Sequence, residues 1–345
     1  MAVERISSIV NHLTPGTSGL SAITSKNADD IVITLAVRTP LAKGFKGGFK
    51  DTKLDYLIYS LLQKVREKSN LDPALVEDVC CGNVSDGNAA YKLRAAVLAA
   101  GFPNTTAASI VNRFCSSGLK ATQDIANQIA EGSIDIGIAM GAEMMSVGGD
   151  KLDGAFHLRF SSAKKLQIQD RYAAESYNRA ELAQKAGWDQ DMEQLFESLN
   201  KIRPAFPDFG DRSTGGNSSQ VTDGAAAVLL MKRSRAIELG QPILAKFVGA
   251  TVAGLAPRIM GIGPSIAVPK LLSKYKITID DCDVIELNEA FASMAVYCKD
   301  ALKIPHEKLN IRGGAIALGH PLVPLVLDRL LLDLASVEDR RRRFC

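Results

Sequence analysis

Apolar residues in this chain recur in two rhythms, and the alternation between them predicts the architecture. Ile31-Val32-Ile33-Thr34-Leu35-Ala36-Val37 is a nearly unbroken aliphatic run closed by Arg38-Thr39-Pro40, the pattern of a strand buried on both faces. Leu54, Leu57, Ile58, Leu61, Leu62 and Val65 then fall at helical spacing within 52–68. Short strands are predicted at 76–81 and 108–111, a helix over 116–129 stopped by Gly132, and a strand at 134–140. Such β-α-β repetition favours right-handed crossovers and a mostly parallel sheet with helices on both faces.

Near Asp150 the pattern changes. Residues 151–215 are polar, poor in strand signals and helical around 171–182, so they read as an inserted segment. Strand-helix alternation resumes with Gly224–Met231, a strand at 243–252, a helix near 265–275 and a strand at Val284–Leu287. The resulting division is 1–29 as a leading segment and linker, 30–150 and 216–322 as two α/β halves, 151–215 as the insertion between them, and 323–345 as a tail. In the leading segment Arg5-Ile6, five residues and His12-Leu13 match an N-terminal peroxisomal import signal, with Ile6, Ile9, Val10 and Leu13 on one helical face. An import receptor is therefore an expected partner and the peroxisome the expected location.

Composition narrows the classes that remain. The 345 residues are 46% apolar, and 41 basic against 38 acidic side chains leave no large field to favour nucleic acid. No apolar run approaches the roughly 18 residues that a spanning helix needs, so no membrane insertion is expected. Six cysteines without Cys-x-x-Cys spacing and four scattered histidines suggest neither a zinc site nor a disulfide framework. No metal is expected.

Three residues stand where chemistry is plausible. Cys115 follows a strand and precedes a helix, which would place its sulfur at the positive helix end and favour thiolate. His320 lies in a glycine-rich turn before Pro321, where a neutral imidazole can accept a proton. Asn288 follows a predicted strand end, the usual place for site residues in an α/β protein. Each also has a plain structural reading: a small buried cysteine, a histidine in a solvated turn, a helix cap. Cys80 and Cys81, adjacent on a strand, should face opposite ways and share no metal.

The wider motifs resolve this choice by resemblance. Asn112-Arg113-Phe114-Cys115-Ser116-Ser117-Gly118, Gly141-Ala142-Glu143-Met144-Met145-Ser146, Thr214–Gly224, Met260–Pro264, Asn288-Glu289-Ala290-Phe291-Ala292 and Asn310–Pro321 resemble, in the same order, motifs of the thiolases, and most closely the fungal peroxisomal 3-ketoacyl-CoA type. The resemblance implies a five-layer αβαβα fold of two similar halves, the final strands missing here. It also implies a homodimer and the cleavage of 3-ketoacyl-CoA by coenzyme A in fatty-acid β-oxidation, with coenzyme A a substrate and no cofactor. Cys115 inherits the role of acyl-accepting nucleophile, His320 that of activating it, and Asn288 that of holding a water at the thioester oxygen.

Two departures from the family pattern bear on activity. Thiolases carry a second cysteine in a Cys-x-Gly motif near the C-terminus, whereas after Leu322 this chain reads Val323-Pro324-Leu325-Val326-Leu327-Asp328. Codons for that run, read one base earlier, can encode Gly-Ala-Thr-Gly-Ala-Arg, the family sequence, so 323–345 reads as an out-of-frame tail. The insertion is also shorter than the family's loop domain, which leaves the residues that bind coenzyme A unassigned. The expectation is weak or absent complete thiolysis. The rival readings are a thiolase-like binding or dimer-partner protein without turnover and a biosynthetic acetoacetyl-CoA thiolase.

Overall fold

The computed structural model describes residues 19–147, 166–184, 198–199, 201–205 and 213–320. They divide into two compact units: residues up to 147 together with Thr222–Ala250, and the remaining described residues up to His320. The import segment and the 323–345 tail lie outside the described residues.

The first unit is built on one seven-stranded sheet. Its strands are β1 (Ile31–Arg38), β2 (Ala42–Lys43), β3 (Asp78–Gly82), β4 (Ala107–Val111), β5 (Ile136–Met144), β6 (Thr222–Lys232) and β7 (Ala245–Lys246). They lie in the order β4-β3-β5-β6-β1-β7, with β2 also paired to β6. The β4, β3 and β5 ladders are parallel, whereas β6 runs antiparallel to both β5 and β1, and β7 antiparallel to β1. The sheet is thus mixed and not mostly parallel. β5 is buried at every position and β6 at all but its last, so alternation cannot report strand direction.

Helices cover both faces. On one, α1 (Leu54–Ser69) buries Leu54, Leu57, Ile58, Leu61, Leu62 and Val65 against Val32, Ile138, Leu229 and Met231, and α2 (Ala89–Ala99) adds Leu93 and Val97. Each such side chain contributes about 1.5–3 kcal/mol. On the other, α3 (Ser117–Glu131) packs Ala121, Ile125 and Ile129 on Ile33, Ala139 and Leu230, and Gly132 ends it at φ 81. Gly137 of β5 makes that approach possible, because a Cβ there would meet Ile125 at 2.7 Å. Cys80 joins this second cluster and Cys81 the first, which is the opposite-face arrangement expected.

The strand predicted at 243–252 reduces to Ala245–Lys246, which pairs only with Ile33 and Val32 before Gly249, at φ 156, turns the chain.

The second unit contains α4 (Leu166–Gln184), α5 (Pro264–Tyr275), α6 (Ala292–Leu302) and the short α7 (Ala315–Leu318). Leu272, Ile285, Leu287, Ala295, Cys298 and Leu309 form its larger apolar cluster. Of the strand predicted at Val284–Leu287, Val284 and Ile285 are bridge residues, Ile285 pairing with Leu309. The Asn310 side chain takes the place of a further strand partner: it accepts from Leu287 N–H at 2.8 Å and donates to the Leu287 carbonyl at 2.9 Å. Cys282 is disulfide-bonded, where the cysteine spacing suggested no disulfide framework. No helix among the described residues is long and apolar enough to cross a membrane.

Candidate active site

Cys115 sits in a tight turn between β4 and α3. Phe114, just before it, holds φ at 48, a left-handed conformation that a bulky side chain adopts only when its surroundings impose it. The surrounding bonds are explicit. Phe114 N–H donates to Asn112 Oδ1 (3.0 Å), Arg113 N–H to Ser117 Oγ (2.8 Å) and Ser117 Oγ to the Phe114 carbonyl (2.6 Å). Ser116 N–H returns to the Arg113 carbonyl at 3.1 Å, so the turn is cross-braced on both sides of the cysteine.

The helix-end position alone predicts an acidified thiol, and the structure differs. Burial pushes the Cys115 thiol above its ordinary value; a hydrogen bond from its own backbone opposes this, and the charge of Glu143 adds to it. Desolvation of the sulfur outweighs that backbone hydrogen bond. The resting sulfur therefore holds its proton near neutrality and needs a base to become nucleophilic. Burial raises the other free thiols too: Cys80 to about 11, Cys81 well above its ordinary range, and Cys298 upward. Those three are buried, whereas Cys115 is partly open.

Asn288 and His320 meet in the second unit. Asn288 Nδ2 lies 3.4 Å from His320 Nε2, across 32 residues of sequence. His320 is buried, with its backbone N–H donating to the Gln220 carbonyl at 2.8 Å. Asn288 Oδ1 is buried with no hydrogen-bond partner among the described residues.

Two buried glutamates brace these segments, and neither role was legible from spacing. Glu289 accepts from Tyr172 OH (3.1 Å), Ser176 Oγ (2.7 Å), Asn310 Nδ2 (2.7 Å) and Ile316 N–H (3.2 Å), tying the Asn288 segment to the turn that leads to His320. Glu143 accepts from Asn83 Nδ2 (3.3 Å), Val84 N–H (2.9 Å), Ser85 N–H (3.3 Å) and Ser85 Oγ. A glutamate inside the apolar run of β5 was the available signal, since a buried carboxylate persists only when surrounded by donors. His306 places Nε2 3.6 Å from Glu175, and its imidazole is held below the usual value, chiefly by burial. Among the described residues no cluster of His, Cys, Asp and Glu could hold a metal ion.

The N-terminal thiolase domain matches residues 31–168 and 189–234, and the C-terminal thiolase domain matches residues 241–332. The chain belongs to the thiolase family. This thiolase is 43% identical to a peroxisomal 3-ketoacyl-CoA thiolase of Yarrowia lipolytica, over 93% of its own length and 90% of the relative's. It is 41% identical to 3-ketoacyl-CoA thiolase A of Candida tropicalis over the same shares. The dimeric peroxisomal thiolase of Saccharomyces cerevisiae superposes with a TM-score of 0.80 at 36% identity, covering 92% of this chain and 94% of that one. A second Saccharomyces structure, described as five-layered from two core domains of identical topology, has a TM-score of 0.74 at 39% identity, covering 91% of this chain and 93% of that one. Cys115 lies in the first unit of this thiolase and the Asn288–His320 pair in the second.

Proposed function

We propose that the chain is a peroxisomal 3-ketoacyl-CoA thiolase that carries the acyl group on Cys115, moves protons through His320, and uses Asn288 to hold a water at the thioester oxygen. The reading rests on the Asn288–His320 juxtaposition, a proton-handling imidazole beside an amide whose buried Oδ1 is left to accept from a ligand. A water bonded to that oxygen can direct its other hydrogen at a developing oxyanion, and a preorganised donor of this kind contributes several kcal/mol.

The raised thiol of Cys115 makes a base necessary. Its proton passes to the imidazole as sulfur bonds to the 3-keto carbon; the bond between C2 and C3 then breaks, and the enolate carbon of acetyl-CoA takes up the proton that the imidazolium gives back. In the second half the thiol of coenzyme A attacks the Cys115 thioester, losing its proton as the Cys115 sulfur regains one. Coenzyme A is thus a substrate, as its presence in a human mitochondrial 3-ketoacyl-CoA thiolase structure at 28% identity fits. The names of its relatives support a peroxisomal location, and the dimeric Saccharomyces neighbour supports a homodimer; in this reading Arg5-Ile6 and His12-Leu13 address an import receptor.

Exchange of labelled coenzyme A into an acyl-CoA isolates the half-reaction that needs only Cys115, His320 and Asn288. Cys115→Ser should abolish exchange, and His320→Ala should slow it about 10²–10⁴-fold. Exchange by His320→Ala at the parent rate would refute the assignment.

A further inference from the structure

We propose that Glu143 is a positioning residue for Cys115, acting through the loop at 83–85 and the side chain of Asn112. The chain of bonds is continuous. Glu143, completely buried at the end of β5, accepts from Val84 N–H at 2.9 Å and from both the N–H and the hydroxyl of Ser85. The Val84 carbonyl accepts from Asn112 Nδ2 at 3.3 Å, and Asn112 Oδ1 accepts from Phe114 N–H at 3.0 Å. Phe114 is the left-handed residue that sets the direction of Cys115. A strained turn of this kind persists only when its neighbours over-determine it, and Asn112 is the side chain that joins it to the carboxylate.

The carboxylate suits the task because four donors converge on it. Asn83 Nδ2, which also donates to the Ala142 carbonyl at 2.8 Å, completes the set, and Asn83 Oδ1 accepts from Asp86 N–H at 3.0 Å to close the loop. Burial pushes the Glu143 carboxyl up, opposed by the Ser85 hydroxyl and the two backbone N–H groups; Asp86, itself paired with Lys92, adds slightly to the rise. An aliphatic residue at 143 would leave these donors unmatched, and only an acceptor with two oxygens can hold the backbone of residues 84 and 85 together.

The inference rests on Cys115 being the reactive cysteine, and the test separates the two claims. The rate of Cys115 alkylation by iodoacetamide is followed against pH, by peptide mass spectrometry, in the parent chain and in Glu143→Ala, Asn112→Ala and the double variant, with circular dichroism confirming that each is folded. The released turn should open the buried sulfur to water, so both single variants should lower the midpoint of the profile by about one pH unit, and the double variant should match either single one. A parent midpoint in Glu143→Ala would overturn the inference. So would a parent midpoint in Asn112→Ala beside a shifted one in Glu143→Ala, because the glutamate would then act by its charge alone. Alkylation of the parent at another cysteine before Cys115 would instead remove the reading on which the inference rests.

Discussion

Gly314 and Glu289 occupy space that only one of them can extend into, and this gives a quantitative test of the frame around Asn288 and His320. A Cβ at Gly314 would fall 1.8 Å from Glu289 Cδ and 1.9 and 2.1 Å from its two oxygens, well inside the roughly 3.5 Å contact distance of non-bonded atoms. Gly314 has φ −123 and ψ −167, extended geometry open to alanine, so the whole effect of Gly314→Ala is steric. Glu289 would have to leave Tyr172, Ser176, Asn310 and Ile316. Overpacking costs about 1–3 kcal/mol and each stranded buried donor about 1–3, which water relieves in part. A loss of about 3–5 kcal/mol is expected for Gly314→Ala and about 2–4 for Glu289→Ala. In the double variant the added methyl has room, so the two losses should fall short of additivity by at least about 1 kcal/mol. Urea unfolding followed by circular dichroism measures all four corners of this cycle. Additive losses, or a Gly314→Ala protein within about 0.5 kcal/mol of the parent, would show that the carboxylate does not fill this space.

Limiting iodoacetamide should label Cys115 before Cys80, Cys81 or Cys298, and its labelling rate should still be rising above pH 9.0, because burial raises its thiol; a plateau below pH 8 would contradict that. At Asp30 burial opposes the charged form, but Lys246 at 2.7 Å, Asn27 N–H and Arg233 together hold the carboxyl below 3.8. A lowered carboxyl stabilises the fold above the unfolded value and loses that contribution as pH falls through the folded one. Lys246→Met should therefore cost about 1–3 kcal/mol at pH 7 and progressively less below about pH 3.8, as read from urea midpoints across pH. A fluorescent fusion of residues 1–20 should become punctate in cells, and changing Arg5 and His12 to Asp should disperse it; an unchanged pattern would dismiss the import reading.

Most helices and the central strands were legible because their apolar spacing is local and regular: Leu54 to Val65 and Ile31 to Val37 each fix an element without reference to the rest of the chain. Strand direction was not, since β6 is buried on both faces and gives the same pattern in a parallel or an antiparallel ladder. The strand expected at Val284–Leu287 is cut short to bridges at Val284 and Ile285 for a different reason. The backbone of Leu287 is bonded by the Asn310 side chain, and pattern cannot report a side chain standing in for a strand. At the site, motif resemblance named Cys115, Asn288 and His320, and its motifs contain Glu143 and Glu289 without telling what either one bonds. Glu143 reaches residues 58 to 60 positions away and Glu289 reaches Tyr172 across 117, separations that only the folded chain brings to contact. The thiolate expected at Cys115 came from helix-end geometry, which is local, whereas the burial that raises the thiol is a property of the whole packing and has no sequence signal.

The central claim is that Cys115 becomes a thioester. Incubating the chain with an acyl-CoA, quenching in acid and mapping peptides by mass spectrometry should place one acyl group on the peptide holding Cys115, removed again by added coenzyme A and absent in Cys115→Ser. An acyl group found on a different residue, or on that peptide equally in Cys115→Ser, would contradict the account.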